Sequence, residues 1–137
     1  MRMSYTALDT SDVHGELVAD YLVGIDAEFR IEDDSGVIFE EPSFPVAELA
    51  RSLDHWIRTG ANDDFAFESM SSDEALVVIC SREEGWVIYS EWTPEVVSRP
   101  VAKSVVEEAV RRFVGDVRAD LDALGLDASW IIGGGAG

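Results

Sequence analysis

Carboxylates in adjacent pairs are the most frequent side chains in this sequence that could take part in chemistry. An acid and a base that cleave a glycosidic bond need surroundings that split the pKa values of two neighbouring carboxyl groups. The pairs in this chain fall at predicted turns and strand ends, which are wet, so a carboxylate-based hydrolase is the least favoured function. The clustered acids are Glu32 to Asp34, Glu40 and Glu41, Asp63 and Asp64, Asp73 and Glu74, and Glu83 and Glu84.

The two histidines and the single cysteine give little support for nucleophilic or metal chemistry. His14 lies in an irregular N-terminal segment, His55 lies beside the apolar stripe of a predicted helix, and Cys80 lies inside an apolar strand, where thiols are usually inert. Two histidines and one cysteine cannot complete a structural zinc site. No glycine-rich loop opens a helix, and no serine stands in a nucleophile elbow. We therefore predict no catalytic residue, no bound metal and no cofactor.

The charge of the chain is its most unusual property. The 137 residues include 28 Asp and Glu against 10 Lys and Arg, which gives a net charge of −18. This charge repels nucleic acid and anionic membranes, so neither is expected as a partner, whereas a basic protein would be attracted. A second interpretation stays open, because Lys103 is the one lysine beside nine arginines, as in a GC-rich or salt-adapted proteome. In that case the acidity has no binding role.

Length and composition indicate one domain without a membrane span. We place this domain at residues 1–128 and a tail, apolar around Trp130 and then glycine-rich, at residues 129–137. The longest apolar runs, such as 75–80, are far shorter than the roughly 20 residues that cross a bilayer. The N-terminus has no apolar signal region, and the single cysteine excludes an internal disulfide, so a cytoplasmic location is expected.

The apolar pattern predicts strands in the first half of the chain. Every odd position of 17–31 is apolar, which predicts one long half-buried strand or two strands bent near Gly24. The turn at 33–36 then leads into a returning hairpin strand. We interpret Glu40 and Glu41 as the end of that strand, with binding to a partner as the second interpretation.

Two stretches have the period of an amphipathic helix. The first follows Ser43 and Pro45, a cap and a first-turn proline, and the second follows Pro100. Between them we expect three short strands, at 64–70, 75–81 and 86–92, of which the last two form a hairpin. Outward pairs are expected on the helices: Glu48 with Arg51, Asp54 with Arg58, Glu107 with Arg111, and Glu108 with Arg112. The order of elements predicts an α+β fold: an antiparallel sheet of about five strands with two helices packed on one face.

The second hairpin has apolar residues on both faces. Pairing Ser81 with Trp86 places Val78 and Tyr89 on one face and Ile79 on the other. Helices on one side of the sheet cannot cover both of these faces. Either the C-terminal tail folds over the second face, or that face binds a partner or a second copy of the chain.

Three stretches carry a resemblance to a known kind of domain. They are "IFEEPSFPVAEL", which continues to a tryptophan, at 38–56, "FAFESM" at 65–70 and "EGWVIYSEW" at 84–92. These stretches are similar to a family of small, uncharacterised bacterial α+β domains, and the resemblance covers roughly residues 16 to 115. It implies no activity, although proteins of this kind are sometimes immunity-type partners of toxins. Strong acidity is not part of the family pattern.

These patterns predict a non-enzymatic, acidic protein-binding module, such as an immunity protein that masks a basic, nuclease-like toxin. Acidic loops would steer association, and an aromatic residue of the second hairpin would be buried in the partner. Consecutive hairpin turns lie at opposite ends of a sheet, so the acids are expected in at least two patches. A homodimeric housekeeping domain is the alternative. The residues expected to bind the partner are Glu40, Glu41, Asp73, Glu74, Glu83, Glu84, Tyr89, Glu91 and Trp92.

Overall fold

The computed structural model describes residues 1–69 and 74–133, which form two antiparallel sheets and four helices. Sheet A contains three strands in the order β1-β2-β3, and sheet B contains three in the order β4-β5-β6. The predicted α+β class is confirmed, but the single sheet of about five strands with two helices is wrong. The elements in chain order are β1 (Arg2–Asp9), α1 (Val18–Gly24), β2 (Asp26–Asp33), β3 (Gly36–Phe44), α2 (Val46–Arg58), β4 (Phe65–Glu68), β5 (Ala75–Arg82), β6 (Gly85–Tyr89), α3 (Lys103–Ala123) and α4 (Ala128–Ile132).

The division into two sheets follows from the positions of β1 and α2. β1 lies in the segment predicted to be irregular, and it pairs antiparallel with β2, so sheet A is completed by the N-terminus. Its apolar alternation is short, because the β1 residues that join the core are Met3, Tyr5 and Leu8, which do not keep a period of two along the strand. α2 then separates β3 from β4, and β4 opens the second sheet. The rings of Phe44 and Phe67 lie 5.9 Å apart and join both sheets in one core.

The predicted strand over 17–31 is correct only in its second half. Residues Val18–Gly24 form helix α1, and β2 begins after it. The odd-numbered Leu17 and Val23 are 71% and 53% exposed, so the period of two fails in this stretch. Asp20 fixes the start of the helix, since its carboxylate accepts a hydrogen bond from the N–H of Leu17 at 2.9 Å. The residues that turn toward the core also fit the spacing of a helix: Val18, Tyr21, Leu22 and Ile25.

The two long helices lie against both sheets. α3 contacts β1 and β6, and α2 contacts β2 and β4. Phe29 in the central strand of sheet A is fully buried, stacked on Phe44 at 4.6 Å and edge-on to Phe113 of α3 at 5.6 Å between ring centroids. The opposite face of sheet A, called here its outer face, carries exposed polar residues such as Glu28 and Arg30. Core packing therefore uses one face of sheet A and leaves the other in solvent.

The predicted register of the second hairpin is confirmed, since Ser81 pairs with Trp86. Its inner face belongs to the core, where Ile88 is completely buried. Residues 98–101 cover the second edge of β6 by exchanging backbone hydrogen bonds with Ile88 and Trp86 at 2.8 to 3.0 Å. This segment therefore lies along the free edge of the hairpin, and Val78 and Val87 on the other face of the hairpin are buried as well.

The segment predicted as a tail contains helix α4 in its described part, which ends at Gly133. Ala128, Ile131 and Ile132 are buried, and α4 packs against α1, α2 and α3. The exposed ring of Trp130 meets Tyr21 of α1 at 5.2 Å between centroids. The last described residues thus close the helical side of the core.

Candidate functional site

The outer face of sheet A forms an open depression of about 620 Å³. Directly paired residues project from the same face of a sheet, and Arg30 pairs with Ser4 on one neighbouring strand and Glu40 on the other. Thr6 and Glu28 form a second such pair. The polar residues that line the depression are Ser4, Thr6, Glu28, Arg30, Glu40 and Glu41.

The charges in this depression are partly compensated. Arg30 binds the carboxylate of Glu40 through Nη2 at 2.7 Å and Nε at 3.0 Å, with both side chains about half exposed. Thr6 donates its hydroxyl hydrogen to Glu28 at 3.1 Å. Glu40 and Glu41 lie inside β3 and not at its end, so their interpretation as a strand end is wrong. An open, hydrogen-bonded face of this kind suits contact with a macromolecule better than it suits a reaction that must exclude water.

A tight turn at residues 90–96, called here the Trp92 turn, follows sheet B. The hydroxyl of Ser90 accepts a hydrogen bond from the N–H of Trp92 at 3.2 Å, and its carbonyl accepts one from the N–H of Thr93 at 3.1 Å. The indole of Trp92 packs on Phe39 of β3 at 6.1 Å between centroids and is 45% exposed. The exposed residues of the turn are Glu91, Trp92, Pro94, Glu95 and Val96.

Several of the predicted partner-binding residues meet at the junction of the two sheets. Glu91 belongs to the Trp92 turn, and its N–H donates a hydrogen bond to the carbonyl of Ala75 at 3.1 Å. This bond places Glu91 next to Glu74, the residue before Ala75. Trp92 lies on Phe39, which is followed in β3 by Glu40 and Glu41. Glu74, Glu91 and Trp92 therefore share one end of sheet B, next to β3. The predicted residue Asp73 lies outside the described residues.

The remaining predicted residues lie elsewhere. Glu83 and Glu84 form the turn at the other end of sheet B, where Asp64 also accepts a hydrogen bond from the N–H of Ser81 at 3.2 Å. Tyr89 pairs with Val78 of β5 and is half-buried, with the guanidinium of Arg82 5.7 Å from its ring centroid. Glu74 and Glu91 lie at one end of sheet B and Glu83 and Glu84 at the other, so the acids form at least two patches.

The charge of the molecule is divided unequally between its elements. Helices α2 and α3 contain six of the 10 basic residues and seven of the 28 acidic residues, so together they carry a charge of −1. The rest of the chain carries −17 of the total of −18. Ion pairs reinforce this division, since Asp54–Arg58, Glu107–Arg111 and Glu108–Arg112 form as expected on the helices. Sequence reasoning missed this asymmetry, which a count of charges by predicted element could have found.

Two polar contacts join distant parts of the chain and were not expected. The hydroxyl of Tyr5 in β1 donates a hydrogen bond to Asp120 of α3 at 2.5 Å. Burial is the main cause that raises the pKa of Tyr5, and the Asp120 carboxylate raises it further. Asp33 accepts the N–H of Arg99 at 2.7 Å and the hydroxyl of Ser35. Partial burial raises the pKa of Asp33, but the hydrogen bonds from Ser35 and Arg99 outweigh it and hold the pKa below its usual value. The first contact attaches sheet A to α3, and the second attaches the turn between β2 and β3 to the segment beside β6.

The expected outward pair of Glu48 with Arg51 in the first turns of α2 is not what the structure contains. Glu48 is buried, and Ser69 donates its hydroxyl hydrogen to this carboxylate at 2.7 Å. Arg51 instead donates to the carbonyl oxygen of Ile131 at 2.9 Å, while Arg118 donates to that of Gly133 at 2.7 Å. The two arginines therefore bind the carbonyl end of α4, where a positive charge is favourable.

Among residues 1–69 and 74–133, no three or more His, Cys, Asp or Glu side chains are grouped as a metal ion would require. No helix in these ranges combines the length and apolar character needed to cross a bilayer.

Comparison with known proteins places the chain in a family that has no assigned activity. Residues 1–123 match the family described as Domain of unknown function (DUF7878). The match ends at the last residue of α3, so α4 lies beyond it. No curated protein matches the chain, and no solved structure does. The predicted membership of an uncharacterised family is confirmed, and the immunity-type association stays a prediction.

Proposed function

We propose that this chain, which belongs to the DUF7878 family of domains of unknown function, is a non-enzymatic module that binds a basic protein partner. The binding side is formed by the two sheets and their turns, and the helical side supports them. An immunity protein that masks a basic toxin is one protein of this type. The observation that carries the proposal is the unequal division of charge, with −17 outside α2 and α3 and −1 within them.

The division of charge supports binding over a trait of the host proteome. A salt-adapted or GC-rich host selects acidic residues wherever a surface meets water, and the exposed sides of α2 and α3 are such surfaces. These helices have nearly balanced charge, with arginines paired to acids at distances of 2.7 to 3.5 Å. A charge that lies almost entirely outside α2 and α3 produces an uneven field, which speeds the encounter with a partner of opposite charge.

The open geometry of the depression on sheet A also fits binding. Its hydroxyls and carboxylates lie on a pleated face that a partner can approach without a narrow entrance. A hydrolase would need two acids in unequal, enclosed surroundings. Here Glu40 already pairs with Arg30, and Glu28 with Thr6. The depression is therefore better suited to a broad contact.

The proposal can be tested with two variants that remove equal charge from different sides. The first is Glu41→Gln, Glu84→Gln and Glu91→Gln on the sheets and turns, and the matched control is Glu108→Gln, Asp116→Asn and Asp122→Asn on α3. Each variant and the unchanged chain are immobilised and exposed to lysate of the host, and the bound proteins are identified by mass spectrometry. Each bound protein is then purified, and its affinity for the three chains is measured by calorimetry.

We expect one basic protein that binds the unchanged chain and the α3 control with equal affinity and binds the sheet variant more weakly. The expected loss is about tenfold, since three rim charges that each contribute about 0.5 kcal/mol together amount to about 1.5 kcal/mol, and about 1.4 kcal/mol corresponds to a factor of ten. Equal binding by both variants would contradict the proposal. So would a second copy of the chain as the only partner, which would favour the homodimer.

A further inference from the structure

We propose that the basic partner docks at the Trp92 turn. The indole of Trp92 then inserts into an apolar pocket of the partner, and lysine or arginine side chains of the partner border this pocket. This inference rests on the proposed function and assigns it a location. It commits to a protein partner of basic charge, since a nucleic acid or an anionic membrane would be repelled.

Trp92 has the exposure expected of a binding anchor. Its side chain is 45% exposed, although tryptophan is among the side chains that gain most from burial. Its ring contacts Phe39 at an angle of 55°, and Phe39 is itself almost completely buried. Nearly half of Trp92 is left to solvent. Tryptophan is enriched among the few residues that dominate the energy of protein interfaces, where it fills a desolvated pocket.

The backbone of the turn holds Trp92 in place before a partner arrives. Ser90 is fully buried and accepts hydrogen bonds from the N–H groups of both Trp92 and Thr93. A further hydrogen bond, from the N–H of Val96 to the carbonyl of Thr93 at 3.0 Å, closes the following turn. A side chain presented on a fixed backbone loses less conformational freedom on binding, so more of its contact energy appears as affinity.

The charges around Trp92 select a basic partner. Glu91 and Glu95 flank the indole in the turn, and both are exposed. No lysine or arginine occurs in the sequence between Arg82 and Arg99. The nearest part of sheet A, β3, contains no basic residue and contributes Glu41, whereas Glu40 projects from the outer face of sheet A and is paired there with Arg30 of β2. A partner that accepts the indole would therefore place its own cations against this rim of carboxylates, and a cation over the exposed part of the ring would gain further attraction.

Trp130 provides a matched control on the helical side of the molecule. It is 44% exposed, close to the value for Trp92, and its ring likewise rests on one aromatic neighbour, Tyr21. The two tryptophans are thus alike in residue type, exposure and support, but they lie in different elements. A contact that any exposed tryptophan could make would involve both, whereas the docking proposed here involves Trp92 alone.

The first experiment places a photoreactive benzoylphenylalanine at position 92 or at position 130 of the full chain in its host, followed by irradiation and mass spectrometry. We expect a cross-link to a basic protein from position 92 and none from position 130. No cross-link from position 92, a cross-link from position 130 only, or a cross-link from position 92 to a second copy of the chain would each overturn the inference.

The second experiment measures the affinity of the purified cross-linked protein for Trp92→Ala and Trp130→Ala. Truncation of a dominant anchor should weaken binding about 30-fold or more, and Trp130→Ala should change it less than about twofold. Urea unfolding of both variants separates loss of an anchor from loss of the fold. If Trp92→Ala binds as the unchanged chain does while the Glu41, Glu84 and Glu91 variant does not, the location fails and the proposed function stands. If neither variant weakens binding, both fail.

Discussion

Tyr5 joins the edge of sheet A to α3 through one hydrogen bond to Asp120. Its ring also meets Phe113 edge-on at 5.9 Å between centroids. Burial and the neighbouring carboxylates of Asp120 and Asp116 raise the pKa of Tyr5, so the folded chain keeps the phenol neutral where the unfolded chain ionises it. The resulting stability is complete below about pH 10, the ordinary pKa of tyrosine, and is lost as the pH rises above it.

Tyr5→Phe should lower the free energy of unfolding by about 1 kcal/mol at neutral pH, because Asp120 loses its donor. The variant should also lose less stability than the unchanged chain above about pH 10. Urea unfolding followed by circular dichroism measures both effects. Tyr89→Phe is the control, since the ring of Tyr89 contacts Arg82 and none of the hydrogen bonds of the described residues involves its hydroxyl. Equal losses of unfolding free energy in the two variants would show that the hydrogen bond between Tyr5 and Asp120 contributes nothing specific.

Asp33 ties the turn of sheet A to the segment that borders β6. Its pKa is lowered, so the folded carboxyl stays ionised at a pH where the unfolded one takes up a proton. The stability that it supplies is therefore present above about pH 4, the ordinary pKa of aspartate, and is lost as the pH falls through the lowered pKa. The pH dependence of this stability is therefore opposite to that for Tyr5, whose contribution is lost as the pH rises.

Asp33→Ala should cost about 1 kcal/mol of unfolding free energy at neutral pH, since the N–H of Arg99 loses its acceptor. The difference from the unchanged chain should shrink as the pH is lowered to about 3. Thermal unfolding at a series of pH values measures it, with the exposed neighbour Asp34→Ala as control. A difference that grows toward acid pH would contradict the assigned direction of the pKa.

At the scale of elements, sequence patterns predicted most strands and both long helices, and they failed where two signals overlapped. The segment 18–25 satisfies both a period of two and a helical period, and only the burial of Leu22 and the exposure of Val23 separate them. β1 was missed because few of its residues face the core. The pairing of strands into two sheets depends on where α2 packs, which is a tertiary property that no local period contains.

The glycines at positions 85 and 115 should respond in opposite ways to alanine. Gly85 has φ +141°, and a methyl group there would lie 2.8 Å from the carbonyl oxygen of Val101. Gly85→Ala should therefore destabilise the chain by about 1–3 kcal/mol. Gly115 lies within α3 with open space around it, so Gly115→Ala should stabilise by about 0.5–1 kcal/mol. Chemical denaturation tests both, and a destabilising Gly115→Ala would show that this part of α3 is not a regular exposed helix.

Helix α4 should contribute to the stability of the core. Ile131 is completely buried, and the carbonyl of that residue accepts a hydrogen bond from Arg51. Ile131→Ala should lower the free energy of unfolding by about 2–5 kcal/mol, as for other large-to-small core substitutions. The exposed Ser129→Ala is the control and should change it by less than about 0.5 kcal/mol. A negligible effect of Ile131→Ala in a calorimetric melt would instead mean that the segment behaves as the predicted tail.

At the scale of the whole molecule, the net charge is read directly from the sequence, whereas its unequal distribution appears only when charges are counted element by element. The acids are spread along most of the chain, but the residues of α2 and α3 together carry a charge of only −1. The sequence also named Trp92 as a possible anchor, but its packing on Phe39 joins residues far apart in the chain. The candidate surface is therefore a product of the tertiary fold, assembled from residues that sequence patterns treat separately.

The association rate of the chain with its basic partner, measured by stopped flow as a function of salt, tests the central claim most directly. Raising the salt from about 0.01 M to about 1 M shortens the Debye length from about 30 Å to about 3 Å. If the acidic side steers binding, the rate should fall by about tenfold or more, and the Glu41, Glu84 and Glu91 variant should start lower than the matched α3 variant. A rate that is independent of salt and equal in the two variants would contradict the account and leave the acidity as a trait of the host.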